Sequence, residues 1–454
     1  MEEQAYKGYL KYYFFHFIIG VIIFVMPFLS KIYSPLIFLF GIYAIHKKQN
    51  KNHEALLISA YVVGAEVLLR MTGGMYFNEY GKYSIIIFML LGMYYKGISK
   101  SAFWYLIFIG LLIPSIINAP SVLNYRTDVR KAIAFNISGP VCLAISALYC
   151  YKSKITFDGM KRVILYIGYP LLAILTYVVL YNPSIKEVVT STQSNFETSG
   201  GFGPNQMSTV LGLGMFVFFV QFLLNSKNKL ELLINGGIMI IFAYRCLVTF
   251  SRGGMLCALV MIGILVFITF FKTNRGGKLK IGIIGILVFF AGTLIWGYSL
   301  IQTNGLIEKR YANQDARGRV KESQLSGREE IAKTELKMFL DNPIFGVGVG
   351  KNKEYREEVT GIVAASHNEI TRMLAEHGML GVMGLAILFF IPVFNLLGNK
   401  QHIFLLSFFV FWLLTINHAA MRIAAPAFIY ALSLLKVNFD IGKEDTLHRE
   451  STIG

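Results

Sequence analysis

Apolar runs recur almost without a break between residues 12 and 437 of this 454-residue chain. No other feature limits the fold so strongly. Bilayer hydrocarbon cannot satisfy backbone N–H and C=O groups, so a chain of long apolar runs must cross as helices or as a closed barrel. The runs lack the period-two alternation of barrel strands, and many approach the ~20 residues that a helical crossing needs. The fold class is therefore an all-α polytopic membrane protein, with roughly 12–14 transmembrane helices. The first apolar run is long and is not followed by a small-residue cleavage site, so it reads as a mature helix rather than a signal peptide.

Lysine and arginine collect on alternate short connections: Lys47, Lys48 and Lys51; Lys152, Lys154, Lys161 and Arg162; Lys272, Arg275, Lys278 and Lys280. By the positive-inside rule these connections are cytoplasmic, and both termini fall on the same side. The net charge of +17 then follows from topology and anionic-lipid contact, and gives no reason to expect a nucleic-acid partner. Cys142, Cys150, Cys246 and Cys257 all lie inside apolar runs without metal or disulfide spacing, as buried free thiols would.

One connection is different. Residues 302–366 hold eleven Lys or Arg and ten Asp or Glu, and the orientation puts them outside. The chain divides on this basis into a bundle over 1–301, an outer loop over 302–377, further transmembrane helices over 378–437 and a cytoplasmic tail over 438–454. Two capping-box patterns, Ser326-Gly-Arg-Glu329 and Ser366-His-Asn-Glu369, predict helices within the loop. Ala332, Leu336, Phe339 and Leu340 make the apolar stripe of the first. Ile370, Met373 and Leu374 make that of the second, with Gly378 at its end.

Arg328 opens the first of these helices, where the macrodipole disfavours a cation unless an anion is also present. Backbone donors and a guanidinium together match phosphate oxygens; without such a ligand Arg328 reads as a solvated surface residue. Arg252, in Thr249-Phe-Ser-Arg-Gly-Gly254, sits at the outer end of a span, where it either snorkels to headgroups or meets an anionic ligand. Arg245, deeper in the preceding span, requires a partner or a polar cavity. Glu66 and Arg70, four apart, satisfy each other most simply.

His367 reads as the first helical residue after a Ser366 cap, a place that keeps imidazole neutral and able to accept a proton. Taken alone it is a capping histidine at a water interface. His377, in the last turn, reads as structural. Asn205, in Gly201-Phe-Gly-Pro-Asn-Gln206, and Lys351, closing Gly346-Val-Gly-Val-Gly-Lys351, are candidates for a substrate groove with Arg245, Asn368 and Glu369. The glycine run reads as a flexible turn, since it lacks the strand and spacing of a nucleotide loop. No cluster has metal spacing and no D-x-D pair occurs, so no metal or other cofactor is expected.

Ser251-Arg-Gly-Gly254, Ser326-Gly-Arg328, Asp341-Asn-Pro-Ile-Phe-Gly-Val-Gly348, Ser366-His-Asn-Glu369 and Glu376-His-Gly-Met-Leu-Gly381, in this order, resemble the bacterial O-antigen ligase and polymerase superfamily over roughly residues 200–395. The resemblance implies a C-type (GT-C-like) membrane glycosyltransferase of the bacterial inner membrane. It implies a glycan taken from undecaprenyl diphosphate on the periplasmic face without a metal, Arg252 and Arg328 on the diphosphate, and His367 acting on the acceptor hydroxyl. The acceptor expected first is lipid A core, as in an O-antigen ligase. A second lipid-linked glycan (polymerase) or a protein Ser or Thr hydroxyl (protein O-oligosaccharyltransferase) are the alternatives. A lipid-linked glycan flippase would show an internal repeat and ionisable residues near the midplane of several spans; neither is evident here.

Overall fold

The structure is a computed structural model that describes residues 8–321, 328–361, 364–419 and 421–439. The expected cap at Ser326 and most of the expected tail lie outside the described residues. The first half of the chain forms α1 (Tyr9–Val25), α2 (Ser30–Lys48), α3 (Glu54–Met71), α4 (Tyr80–Lys96), α5 (Phe103–Val122), α6 (Val129–Cys150), β1 (Lys154–Thr156), α7 (Phe157–Tyr181) and the single turn α8 (Ile185–Val188). Then follow α9 (Pro204–Val220), α10 (Lys229–Val248), α11 (Arg252–Lys272), α12 (Arg275–Gln302), α13 (Leu306–Tyr311), α14 (Arg328–Asp341) and α15 (Lys351–Thr360). The chain closes with α16 (Glu369–Gly398), α17 (Leu405–Ile416), α18 (Ala425–Leu432) and β2 (Lys436–Asn438).

Among the described residues nine helices are long and apolar enough to cross a membrane, and α1 and α17 are shorter apolar helices. The protein is thus an all-α polytopic membrane protein. Helices α3, α7, α9 and α18 are buried on nearly all sides, whereas α12 is apolar with few buried residues. A helix of that kind faces lipid. All four cysteines are buried free thiols.

At one end of the bundle β1 and β2 pair in parallel. Asn399 donates from its amide to Leu435 O at 2.6 Å, and His402 Nε2 lies 2.9 Å from Leu432 O, so α17 rises from this end and α18 returns to it. At 1.5 Å per residue these helices measure only ~18 and ~12 Å. Their connecting turn, residues 417–424, reaches the level of the last turn of α3, where Glu66 accepts from Ala424 N (2.6 Å) and Arg70 donates to Arg422 O (3.2 Å). Irregular backbone inside a membrane bundle requires such partners. Glu66 and Arg70 also pair at 3.0 Å as the sequence suggested.

The charged loop covers the other end. In α14 the buried residues are Ile331, Thr334, Glu335 and Met338, while Leu336 and Leu340 are exposed; the helix is rotated from the expected stripe. The reason is Glu335, a fully buried carboxylate whose oxygens take hydrogen bonds from Arg356 (2.6 Å), Asn352 (3.3 Å), Thr371 (2.5 Å) and Ser366 (3.3 Å). A hydrogen-bonded ion pair turned α14 where hydrophobicity alone would not.

The glycine run 346–351 is not a loose turn. Val347 N donates to Ala375 O, Gly348 N to Glu376 O and Gly350 N to the Glu376 carboxylate. These bonds hold the run against the break in α16, where Gly378 takes φ 61°. A Cβ at Gly378 would lie 2.6 Å from the carbonyl oxygens of Pro343 and Ile344, so glycine lets the two segments touch.

Candidate functional site

Three elements at the loop end each supply an arginine. Arg252 begins α11, two residues after Phe250, whose backbone is left-handed at φ 60°. That conformation points the Phe250 carbonyl at α13, where Arg310 Nε donates to it at 2.9 Å and a second guanidinium nitrogen reaches Ser194 Oγ at 3.3 Å. Arg328 is the first described residue of α14. Burial and then the charges of Arg252 and Arg328 lower the proton affinity of Arg310, and burial and then Arg252 lower that of Arg328. Like charges gathered out of water have this effect. Among the described residues no carboxylate forms an ion pair with Arg310 or Arg328, and Arg328 makes no hydrogen bond to a described residue. Lys321, bonded to Thr192 Oγ1 at 2.8 Å, extends the basic region.

The start of α11 is held by close packing on α9. Ser251 Oγ donates to Asn205 Oδ1 (2.8 Å) and Ser208 Oγ to Ser251 Oγ (3.0 Å). A Cβ at Gly254 would meet the Ser208 carbonyl oxygen at 1.9 Å, and one at Gly253 would meet the ring of His418 at 2.5 Å. The paired glycines therefore admit both a helix backbone and an imidazole. His418 sits with Nδ1 3.0 Å from Leu414 O and Nε2 3.2 Å from Thr209 Oγ1.

His367 stands beside this cluster, but not where a Ser366 cap would put it. The cap is Asn368, whose side-chain oxygen accepts from Ile370 N (2.8 Å) and Thr371 N (3.4 Å). Ser366 Oγ instead accepts from Asn368 N (3.3 Å) and lies within donating distance of Asn368 O (2.9 Å) and Glu335 (3.3 Å), in the turn that precedes the cap. His367 thus precedes the cap and lies outside the first turn, and the dipole is not what keeps it neutral. Burial does so first, and then the charges of Arg422, Arg328, Arg356 and His418. Together they push its pKa down to about 4.

Both neighbours of His367 are fixed. Arg422 donates to Ser366 O at 2.6 Å with its guanidinium over the Phe135 ring, and Asn368 donates to Asn417 Oδ1 at 3.2 Å. The ring itself makes no hydrogen bond to a described residue. A neutral imidazole is thereby presented next to guanidinium groups from α14 and the 417–424 turn.

Residues 237–389 match a family model described as O-antigen ligase. Over that segment the chain is similar to the O-antigen ligase and polymerase superfamily. Its function is of the ligase and polymerase type, that of a multi-pass, glycosyltransferase-like membrane enzyme. No curated protein matches the chain. The O-antigen ligase segment contains Arg252, Arg310, Arg328 and His367; Asn205, His418 and Arg422 reach the same place from outside it.

The other residues singled out from the sequence have different surroundings. Arg245 of this O-antigen ligase segment is buried and donates to the carbonyls of Asn182 (2.9 Å) and Val179 (3.5 Å), capping the C-terminal end of α7, so it is not in a groove. Glu369 is buried and paired with Arg372, which also meets Glu376. Lys351 is bound by Glu354 (3.0 Å) and Glu358 (3.3 Å). His377 is fully buried. Among the described residues no His, Cys, Asp and Glu group could hold a metal ion.

Arg310, Arg422 and His418 were missed by the sequence reading. Arg310 was one charge of many in the loop. Arg422 and His418 fell at the ends of two apolar runs, where a polar residue on both sides of one short break was the available signal.

Proposed function

We propose that the protein transfers a glycan from undecaprenyl diphosphate to an acceptor hydroxyl on the periplasmic face of the bacterial inner membrane. Arg252, Arg310 and Arg328 bind the diphosphate. The observation that carries this reading is that guanidinium groups from α11, α13 and α14 lie close enough to act on one another, with no described carboxylate partner for Arg310 or Arg328, beside a neutral imidazole. An anion placed there relieves their mutual repulsion.

In the reaction the acceptor oxygen attacks the anomeric carbon of the donor sugar, the carbon–oxygen bond to phosphate breaks, and its electron pair leaves with the diphosphate. His367 accepts the hydroxyl proton. The arginines stabilise charge as it develops on the leaving group, a contribution of about 10²–10³ in rate for each such donor. A bound diphosphate also offsets the positive charges that depress His367, raising its pKa toward the range in which a base is most effective. Lipid A core is the acceptor expected first. Reconstituted protein with purified lipid-linked donor and acceptor tests the reading. Transfer is expected with wild type and to be lost in His367→Ala of unchanged elution profile and thermal stability; full transfer in that variant overturns it.

A further inference from the structure

The pair Glu66 and Arg70, in the last turns of α3, does more than satisfy itself. Arg70 is half-buried, and its guanidinium reaches four separate places in the chain. One terminal nitrogen donates to Glu66 Oε1 (3.0 Å) and to Asn78 O (2.8 Å); the other donates to Arg422 O (3.2 Å) and to Gln206 Oε1 (3.5 Å). Glu66 is buried, and its second oxygen accepts from Ala424 N at 2.6 Å. A buried ion pair is a weak source of stability. What this one supplies is direction, because most of its bonds run to other elements.

Those elements lead to both halves of the reactive centre. The 417–424 turn, held by α3 on one side, holds the residues that flank His367 on the other: Arg422 donates to Ser366 O (2.6 Å), and Asn368 donates to Asn417 Oδ1 (3.2 Å). Two hydrogen bonds therefore separate Arg70 from the backbone of the base. The same turn meets the start of α11, since the His418 ring fills the space beside Gly253, the residue after Arg252. Gln206, the fourth partner of Arg70, follows Asn205, which accepts from Ser251, the residue before Arg252. Arg70 thus touches the chain that carries His367 and the chain that carries Arg252.

The neighbouring helix leaves room for this arrangement. Gly81 is the second residue of α4, and a Cβ there would lie 2.9 Å from Glu66 Cδ and 3.1 Å from its Oε1, with no other atom as near. The backbone of Gly81 is not left-handed, so its conformation does not require glycine, and alanine is the better helix former. The missing methyl is the space in which the Glu66 carboxylate turns toward Ala424 and Arg70.

We propose that Glu66 and Arg70 are positioning residues for the transfer: through the 417–424 turn and Gln206 they hold His367 and Arg252 in a fixed relation, so that base and leaving-group site act on the same bound donor. The proposal rests on the transfer reading above and adds to it two residues of the first half of the chain, outside the O-antigen ligase segment. Neither touches the reacting atoms. Their effect is on alignment, where a displacement of about 1 Å costs on the order of 10²-fold in rate.

Two variants disturb the pair without removing a charge. In Gly81→Ala the methyl displaces the Glu66 carboxylate while the helix itself is favoured; in Arg70→Lys the positive charge stays and the planar fork is lost. Single turnovers of donor-loaded protein in proteoliposomes are the first measurement. The rate constant is expected to fall about tenfold or more in both variants, with the reacting amplitude and thermal midpoint of wild type. A wild-type rate constant in either variant, or a lower amplitude at an unchanged rate constant, overturns the proposal, since the latter reports only a smaller folded fraction. The second measurement needs no turnover: the His367 imidazole resonance, assigned by its absence from His367→Ala, is titrated in histidine-labelled protein in nanodiscs. The groups that bear on it are Arg422, Arg328, Arg356 and His418, and they hold its pKa at about 4. With the turn released in Arg70→Lys, the Arg422 charge moves off the ring and His367 takes up its proton at higher pH. A titration coincident with that of wild type overturns the proposal. A shifted titration in a protein that transfers nothing counts against the transfer reading and not against the link from α3 to His367.

Discussion

Arg422 donates a 2.6 Å hydrogen bond to the carbonyl oxygen of Ser366, so the turn between two short buried helices fixes the backbone beside His367. The same guanidinium lies over Phe135 and is the first charge, after burial, that holds His367 neutral. One residue thus fixes the backbone beside the imidazole and adds to the positive charge that disfavours its protonation. In Arg422→Ala both effects are lost, and a displaced base costs on the order of 10²-fold in turnover. Single-turnover rates of preloaded enzyme check this; a rate within threefold of wild type would show that Ser366 needs no such anchor.

The pH dependence follows from the same charges. With its pKa lowered to about 4 by burial and the surrounding arginines, His367 in the free enzyme gains a proton only in acid, and kcat/KM falls as pH drops through that value. In Arg328→Gln a positive neighbour is gone, the imidazolium is less disfavoured, and the acid limb of kcat/KM moves to higher pH. Profiles of wild type and variant between pH 4 and 8 measure the shift. A limb that moves toward lower pH contradicts the placement of Arg328 beside His367.

Arg310 and Arg245 are both half-buried or buried arginines near the loop end, and they should separate cleanly. Arg310→Ala removes a guanidinium from the cluster and is expected to lower kcat about 10²–10³-fold, with Arg310→Lys restoring little because an ammonium cannot reproduce a planar fork. Arg245→Gln leaves the carbonyls of Asn182 and Val179 less well capped. It should lower thermal stability while the folded fraction keeps its donor KM. Thermal-shift and steady-state measurements on both variants decide the matter.

What could be read from the sequence and what could not divide along physical lines. The apolar runs determined the fold class because bilayer hydrocarbon leaves the backbone few choices. The pair Glu66 and Arg70 was legible because i, i+4 partners are local. His367 beside a cap was visible for the same reason. Asn368 taking the cap in place of Ser366 was not, because both residue types cap helices and the Ser366 hydroxyl is bonded to the Asn368 backbone in the turn before the cap. The rotation of α14 was hidden likewise: Glu335 is an ordinary charged residue in sequence and becomes a buried hub only when Arg356, Asn352 and Thr371 arrive from other elements. Arg422 and His418 meet His367 through a break between helices too short to cross alone.

That hub provides the last prediction. Glu335→Ala leaves Arg356 buried without its carboxylate, since their side chains are both fully buried and paired at 2.6 Å. Removing one member of a buried ion pair costs about 3–5 kcal/mol, and here the cost falls on the docking of α14 and α15 against α16. Replacing both residues, Glu335→Met with Arg356→Leu, takes away the uncompensated charge and should recover most of that stability. Recovery of packing need not restore transfer, because Ser366 and Thr371 still lose the acceptor that holds the chain on either side of His367. Limited proteolysis of the 302–377 loop reads the docking, and initial rates read the alignment. A double variant that resists protease like wild type yet transfers glycan at under a tenth of its rate is the expected outcome; wild-type rates in the double variant would reduce Glu335 to a packing role.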